Sequence, residues 1–364
     1  MRKVAPGPDP VQGQQREDHG MVKAAANINA RKRINLALQG GGSHGAFTWG
    51  VLDAILADDR LEIEGISGTS AGAMNAAVVA CGITQGGPAV ARKKLREFWR
   101  AVSVDGSLTA PQRVLFDMLL QPWRKAGAGG GWMGAAQAMM SPYDLNPLDI
   151  NPLRDVVEAQ IDFAAVRACE SLQLFIAATN VHTGKVRVFE RSELTVDMLM
   201  ASAALPTIFK AVEIDGVPYW DGGYMGNPVL FPFFSGTRTE DIILVQINPL
   251  VRDNTPDTTG EILERVNEIT FNAALLHELR AIDFVRRLID AGRLDATHYK
   301  RVRLHRVEAQ KELNAFGATS KMQADWGFFE KLHAIGYKAG EAFLAAHFDE
   351  IGREGTLDLK AELA

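Results

Sequence analysis

Ile34-Asn35-Leu36-Ala37-Leu38-Gln39-Gly40-Gly41-Gly42-Ser43-His44-Gly45 is the stretch of this chain on which its fold turns. A strand-like apolar run ends in a glycine-rich turn, and residues 45–57 then carry Phe47, Val51, Leu52, Ile55 and Leu56 at helical spacing. Strand, glycine turn and helix in that order form the opening unit of an α/β layer fold. A second unit follows, with a strand-like run over 62–67, the string Gly68-Thr69-Ser70-Ala71-Gly72, and a small-residue helix over 71–81. Further strands are expected near 172–178, 185–190 and 242–247, with a hairpin over 211–220 that turns at Asp215-Gly216.

The two glycine motifs carry chemistry. Glycines before a helix let N–H groups converge on negative charge, either a pyrophosphate or the oxyanion of a tetrahedral intermediate. Residues 40–45 also satisfy the dinucleotide pattern G-x-G-x-x-G, with Asp58 or Asp59 as the acidic residue downstream. The second motif separates the two readings. Ser70 lies between glycines after a strand and before a helix, the setting of a nucleophile elbow, whose sharp turn needs small residues two before and two after the serine. A serine nucleophile needs a base. His44, His182, His277, His298, His305, His333 and His347 offer none in the Asp/Glu-then-His order on a late loop, and His19 lies in the N-terminal tail. His44, inside the glycine loop, is the one histidine within conceivable reach. The other candidate base is Asp221, at the end of a strand and directly before Gly222 and Gly223.

With 364 residues, 47% of them hydrophobic and 23% charged, the chain is long and apolar enough for one large α/β domain or two small ones. A net charge of -5 gives no basic excess for nucleic acid. Residues 1–33 differ from the rest, with seven Lys or Arg against three Asp or Glu, and are expected to be a disordered basic tail without the apolar region of a secretory signal. No apolar run reaches the ~18 residues of a membrane span. Cys81 and Cys169 form no C-x-x-C pair, and no histidine cluster has ligand spacing. Neither a metal nor a cofactor is expected, and the location expected is cytoplasmic, with peripheral contact to membranes or lipid surfaces as an added option. The oligomeric state is not legible.

A catalytic domain is expected over 34–250 and a mainly helical extension, packed on that same domain, over 251–364, with long amphipathic helices at 261–292 and 323–351. Residues 111–147, rich in Trp, Met, Gly and Pro, read as an apolar insertion, either a lid over the site or a satellite of the core.

Taken in order, Gly40-Gly41-Gly42-Ser43-His44-Gly45, Gly68-Thr69-Ser70-Ala71-Gly72 and Asp221-Gly222-Gly223 resemble the patatin-like phospholipase family of serine acyl hydrolases. Ala177-Ala178-Thr179-Asn180, His182-Thr183-Gly184 and the run from Ala201 to Pro206 resemble it as well. The resemblance implies a three-layer α/β/α fold with a central, mostly parallel sheet, to which the C-terminal helices are added. It implies a Ser70-Asp221 dyad without a catalytic histidine, backbone donors for the oxyanion in the 40–45 loop, and a lipid or other acyl ester as substrate. The family usually carries arginine where this chain has His44. Two further readings stand beside it: a nucleotide-binding protein that uses the glycine loop, and a catalytically idle lipid-binding protein on the same fold.

Overall fold

A computed structural model of the chain describes residues 31–104, 106, 141–316 and 318–364. The expected tail, up to residue 30, and residues 111–140 of the expected insertion lie outside them. The first repeating units form as their pattern predicts: β1 (Lys32–Leu38), α1 (Gly45–Ala57), β2 (Leu61–Gly68) and α2 (Ala71–Gly86). They are followed by α3 (Pro88–Val102), α4 (Pro152–Gln160), β3 (Gln173–Asn180), β4 (Val186–Glu190), α5 (Val196–Ser202), β5 (Val212–Ile214) and β6 (Val217–Asp221). The chain then continues through β7 (Asp241–Val245), α6 (Thr259–Asp290), β8 (Arg303–Val307) and α7 (Trp326–His347).

The strands form one sheet in the order β5-β6-β3-β2-β1-β7-β8, with β4 paired to β3 off that path. From β3 to β8 along this order the neighbours are parallel, while β4 and β6 run antiparallel to β3. Alternation along the strands divides the core in two. Ile34, Leu36 and Leu38 of β1 and Ile243 and Val245 of β7 join the cluster that includes Phe47, Val51, Phe98 and Leu332. Ala37, Ile242 and Leu244 point the other way, to Leu275, Leu279 and Ile282 of α6. Helices thus cover both faces, which is the three-layer arrangement and the reason the central strands read as nearly unbroken apolar runs. On the first face α7 lies so close to α1 that a Cβ at Gly336 would stand 2.0 Å from the Phe47 carbonyl oxygen.

The hairpin turns where the sequence places it, with positive φ at both Asp215 (51°) and Gly216 (76°), as a two-residue turn between twisted strands requires. α3 is amphipathic, with Ala91, Leu95, Phe98 and Trp99 buried at helical spacing. β8 carries no clear periodic signal: its Arg303 and His305 are polar and yet largely inside, and Asp241 of β7 takes both, at 2.7 and 3.2 Å. Charge pairing replaces the apolar alternation by which a strand is recognised. Among the described residues no helix is long and apolar enough to cross a membrane.

Candidate active site

Strand order brings the three motifs together. β1 and β2 are parallel neighbours with Leu38 opposite Gly68, so the glycine loop and the serine turn leave the sheet at the same edge. β3 is the next strand over, and β6 pairs with it antiparallel, Ala178 opposite Asp221. Glycine loop, serine and aspartate therefore meet at the carboxyl ends of the central parallel strands, where open α/β sheets place their ligand sites.

Ser70 is the residue before α2 and holds φ 54°, ψ −121°. That backbone is costly for any residue with a Cβ, on the order of 1–3 kcal/mol, and persists only where the surroundings enforce it. They do so here. A Cβ at Gly72 would lie 2.3 Å from the Leu38 carbonyl oxygen, and one at Gly40 would lie 2.8 Å from the Ser70 Cβ. The Thr69 hydroxyl donates to the Gly226 carbonyl at 2.7 Å, and the Ser70 N–H donates to Ser202 Oγ at 2.9 Å. The second bond gives the run from Ala201 to Pro206 a physical role, because Ser202, at the end of α5, ties down the elbow.

Asp221 is 1% exposed. Its N–H donates to the Ala204 carbonyl at 2.9 Å, its carbonyl accepts from the Thr179 hydroxyl at 2.8 Å, and Oδ1 accepts from the Gly223 N–H at 2.7 Å. Among the described residues Oδ2 has no partner at hydrogen-bonding distance. Burial pushes the carboxyl up to about 7, against the opposing pull of the Gly223 N–H and of the neighbouring Ser70 hydroxyl. A buried acid that exchanges its proton near neutral pH beside a serine is suited to serve as a general base.

The glycine loop is held by a buried amide network absent from the sequence expectations. Gln39 Oε1 accepts from the N–H groups of Ile247 and Asn248 at 2.9 and 2.8 Å, and its Nε2 donates to Asn272 Oδ1 and to the Asn227 carbonyl. Asn227 Oδ1 accepts from the Gly40 N–H at 2.6 Å, and Asn248 Nδ2 donates to the Gly40 carbonyl at 2.8 Å. The only sequence signal for these residues was a Gln at a strand end and isolated Asn among apolar neighbours. The network narrows the expected donor set. Gly40 N–H is spent on Asn227, His44 N–H on the Gly41 carbonyl, and Gly45 N–H on the carbonyls of Gly42 and Ser43. Gly41, Gly42 and Ser43 are left as the loop's candidate donors among the described residues.

His44 is engaged by a serine other than Ser70. Its Nε2 lies 2.7 Å from Ser320 Oγ, its ring is 4% exposed, and it packs against Phe316 and Phe328. Burial first, then the positive charges of Lys321 and Arg252, lower its pKa to about 3. His305 pairs with Asp241, His333 with Asp53 and His298 with Asp295; His182 and His277 are exposed, and His347, half-buried, packs on Phe343 at the end of α7. Asp58, a candidate acid of the dinucleotide reading, caps the far end of α1, roughly 20 Å from the glycine loop by helix rise, and pairs with Arg60.

Ser70, Gly42 and Ser43 border a pocket of about 140 Å³ whose walls include Met74, Phe98, Trp99, Leu205, Phe209 and Phe329. Among the described residues Lys321 is the one charged residue on its lining. An apolar wall with a few polar groups at one end suits an acyl chain attached to an ester. Among the described residues no group of three or more His, Cys, Asp or Glu stands close enough to hold a metal.

A family model described as patatin-like phospholipase matches residues 36–234. No curated protein matches the chain. Among solved structures, it is similar to VipD from Legionella pneumophila, with 14% identity, a TM-score of 0.40, and coverage of 87% of this chain and 67% of that one. It is also similar to full-length ExoU from the type III secretion system of Pseudomonas aeruginosa, solved with SpcU, at 15% identity and a TM-score of 0.31. That match covers 86% of this chain and 53% of ExoU, so the chain spans about half of ExoU's length.

Proposed function

The chain belongs to the patatin-like phospholipase family of lipid acyl hydrolases, and from that premise we propose that it cleaves carboxylic esters of lipids through an acyl-Ser70 intermediate. Ser70 Oγ attacks the ester carbonyl while Asp221 takes the hydroxyl proton. The carbonyl oxygen, now negative, is held by N–H groups of Gly41, Gly42 and Ser43 and by the positive end of α2. Collapse of the tetrahedral intermediate breaks the ester C–O bond, and Asp221 returns the proton to the leaving alkoxide. A water then enters and gives a proton to Asp221 as its oxygen attacks the acyl carbon; the acyl–Oγ bond breaks, Asp221 returns the proton to Ser70 Oγ, and the fatty acid leaves. Support comes above all from one observation: a serine in a strained elbow beside a wholly buried carboxyl, Asp221, which burial pushes up to about 7. A fluorophosphonate probe is expected to form one covalent adduct, located on Ser70 by peptide mass analysis, and to block hydrolysis of p-nitrophenyl butyrate. An unlabelled Ser70 in protein that still hydrolyses the ester refutes the reading, and no hydrolysis of any acyl ester returns the chain to the idle, lipid-binding alternative.

Contact with a lipid surface, in this reading, falls to α6. Ile262, Val266 and Ile269 follow one another at helical spacing with 45%, 53% and 55% exposure, and Leu263 stands beside them at 45%. Two residues further along the same helix, Phe271 packs on Gly223 and Tyr224, next to Asp221. The stripe thus lies on the element that flanks the base loop. Replacing Val266 and Ile269 together by Asp is expected to weaken co-sedimentation with phosphatidylcholine vesicles by about tenfold or more, from the apolar area no longer buried in lipid. Unchanged co-sedimentation places the contact elsewhere.

A further inference from the structure

The glycine loop is braced from a part of the chain beyond the family match, which ends at residue 234. The 3-10 turn Ala318–Met322 touches it twice and reaches it once more through Asn248. Ser320 Oγ meets His44 Nε2 at 2.7 Å. The Lys321 carbonyl oxygen lies where it would be 2.5 Å from a Cβ at Gly42, a residue that also needs its positive φ of 58°. The Lys321 ammonium donates to Asn248 Oδ1 at 3.1 Å, and Asn248 in turn holds the Gly40 carbonyl. Behind it, buried Glu268 fixes the turn to α6, accepting from Lys321 at 3.4 Å while it pairs with Arg252 at 2.5 Å and Arg265 at 3.3 Å.

These contacts divide the loop into two halves. Asn227 and Asn248 fix the Gly40 end to the sheet. The end that carries Gly42 and Ser43, whose N–H groups must be aimed at the oxyanion, is held among the described residues by His44 and the turn, with α2 and α7 packed beside it and Asn75 Nδ2 donating to the Gly45 carbonyl at 3.0 Å. Three glycines in succession do not hold donors still by themselves, and donors act in catalysis to the extent that they are already in place.

We propose that Ser320 and His44 form a latch that positions the oxyanion loop, so that the turn Ala318–Met322 belongs to the catalytic apparatus although it touches no reacting atom. Both are positioning residues, acting through the backbone of Gly42 and Ser43. His44, 4% exposed and turned into the protein, serves as the loop's anchor rather than as a base. This inference rests on the oxyanion reading of Gly41, Gly42 and Ser43 given above.

The test compares Ser320→Ala and Ser320→Thr with wild type in the full chain. Ser320→Ala is expected to lower kcat for p-nitrophenyl butyrate by about 10- to 100-fold with KM changed less than about threefold, the loss that a donor displaced by about an ångström produces. Affinity for a boronic acid that forms a tetrahedral adduct with a serine should fall by a similar factor, while inhibition by the butyrate product stays as in wild type. Ser320→Thr, which keeps the hydroxyl, should restore most of kcat. A merely structural serine would shift the melting temperature and leave the boronate and butyrate affinities in their wild-type ratio, which overturns the latch, as does wild-type kcat in Ser320→Ala. If Ser320→Ala does not fold, Ser320→Cys carries the comparison: loss of kcat with KM kept supports the latch, and wild-type kcat refutes it. Failure of wild type itself to hydrolyse the ester is a failure of the hydrolase reading and is seen before any variant is made.

Discussion

Ser70→Ala is expected to eliminate ester hydrolysis, with kcat lowered by more than about 10⁴-fold, because no other group can form the acyl-enzyme. The same residue makes a second prediction, about stability. Its φ of 54° and ψ of −121° are enforced by Gly40 and Gly72 packed against the turn, and alanine keeps the Cβ that makes this backbone unfavourable. Glycine does not. Ser70→Gly should be equally inactive but unfold at higher temperature than Ser70→Ala, by about 1 kcal/mol of relieved strain less the entropy glycine gives the unfolded chain. Thermal unfolding of the two variants side by side reads the difference with the hydroxyl absent from both. If Ser70→Ala retained measurable turnover after repurification, another nucleophile would be at work and the elbow would be a turn of unusual geometry only.

The reason so much of this site was legible lies in its glycines. Gly40, Gly68, Gly72 and Gly222 are required by close backbone approaches, so the constraint is written in residue identity and can be read without neighbours. Asp221 was legible because its strand ends in the Asp-Gly-Gly string. What holds these residues in place was not. Gln39, Asn227, Asn248 and Asn272 form one buried amide network from four separate stretches of chain, and nothing at any one of them marks it as a partner of the others. Ser320 is more remote still, a serine in an irregular turn whose meaning depends on α7 and α6 folding back over the glycine loop. Similarly, β8 was missed because Arg303 and His305 are made tolerable inside by Asp241, a long-range pairing that a local apolar pattern does not record. His44 shows the same limit from the other side. Its position within the motif suggested a base, and only the packing on Phe316 and Phe328 shows the ring directed elsewhere.

Asp221→Asn should separate activity from stability, and in opposite directions. An amide cannot accept the serine proton, so kcat is expected to fall by about 10⁴-fold, the scale seen when the carboxylate of a serine triad is neutralised. Stability behaves differently because the fold holds this carboxyl up to about 7 against an ordinary 3.8, chiefly through burial. Between those two pH values the unfolded chain has released a proton that the native protein retains, so wild-type stability falls as pH rises through this window, by about 4 kcal/mol as an order of magnitude. Asparagine is neutral throughout and has no such fall. The variant should therefore match wild type near pH 4 and be the more stable protein at pH 8, in urea unfolding at each pH. Activity of wild type should rise over the same range, with kcat/KM following a single ionisation near 7 as the base loses its proton. That limb has no competing source in the glycine loop, since His44 is held at about 3 and is neutral across the range. Full activity in Asp221→Asn, or an ascending limb that persists unchanged in it, would assign the proton to a histidine and overturn the dyad. An inactive variant without the stability gain would mean that the carboxyl is solvated in the native protein, and that its capacity to act as a base does not come from burial.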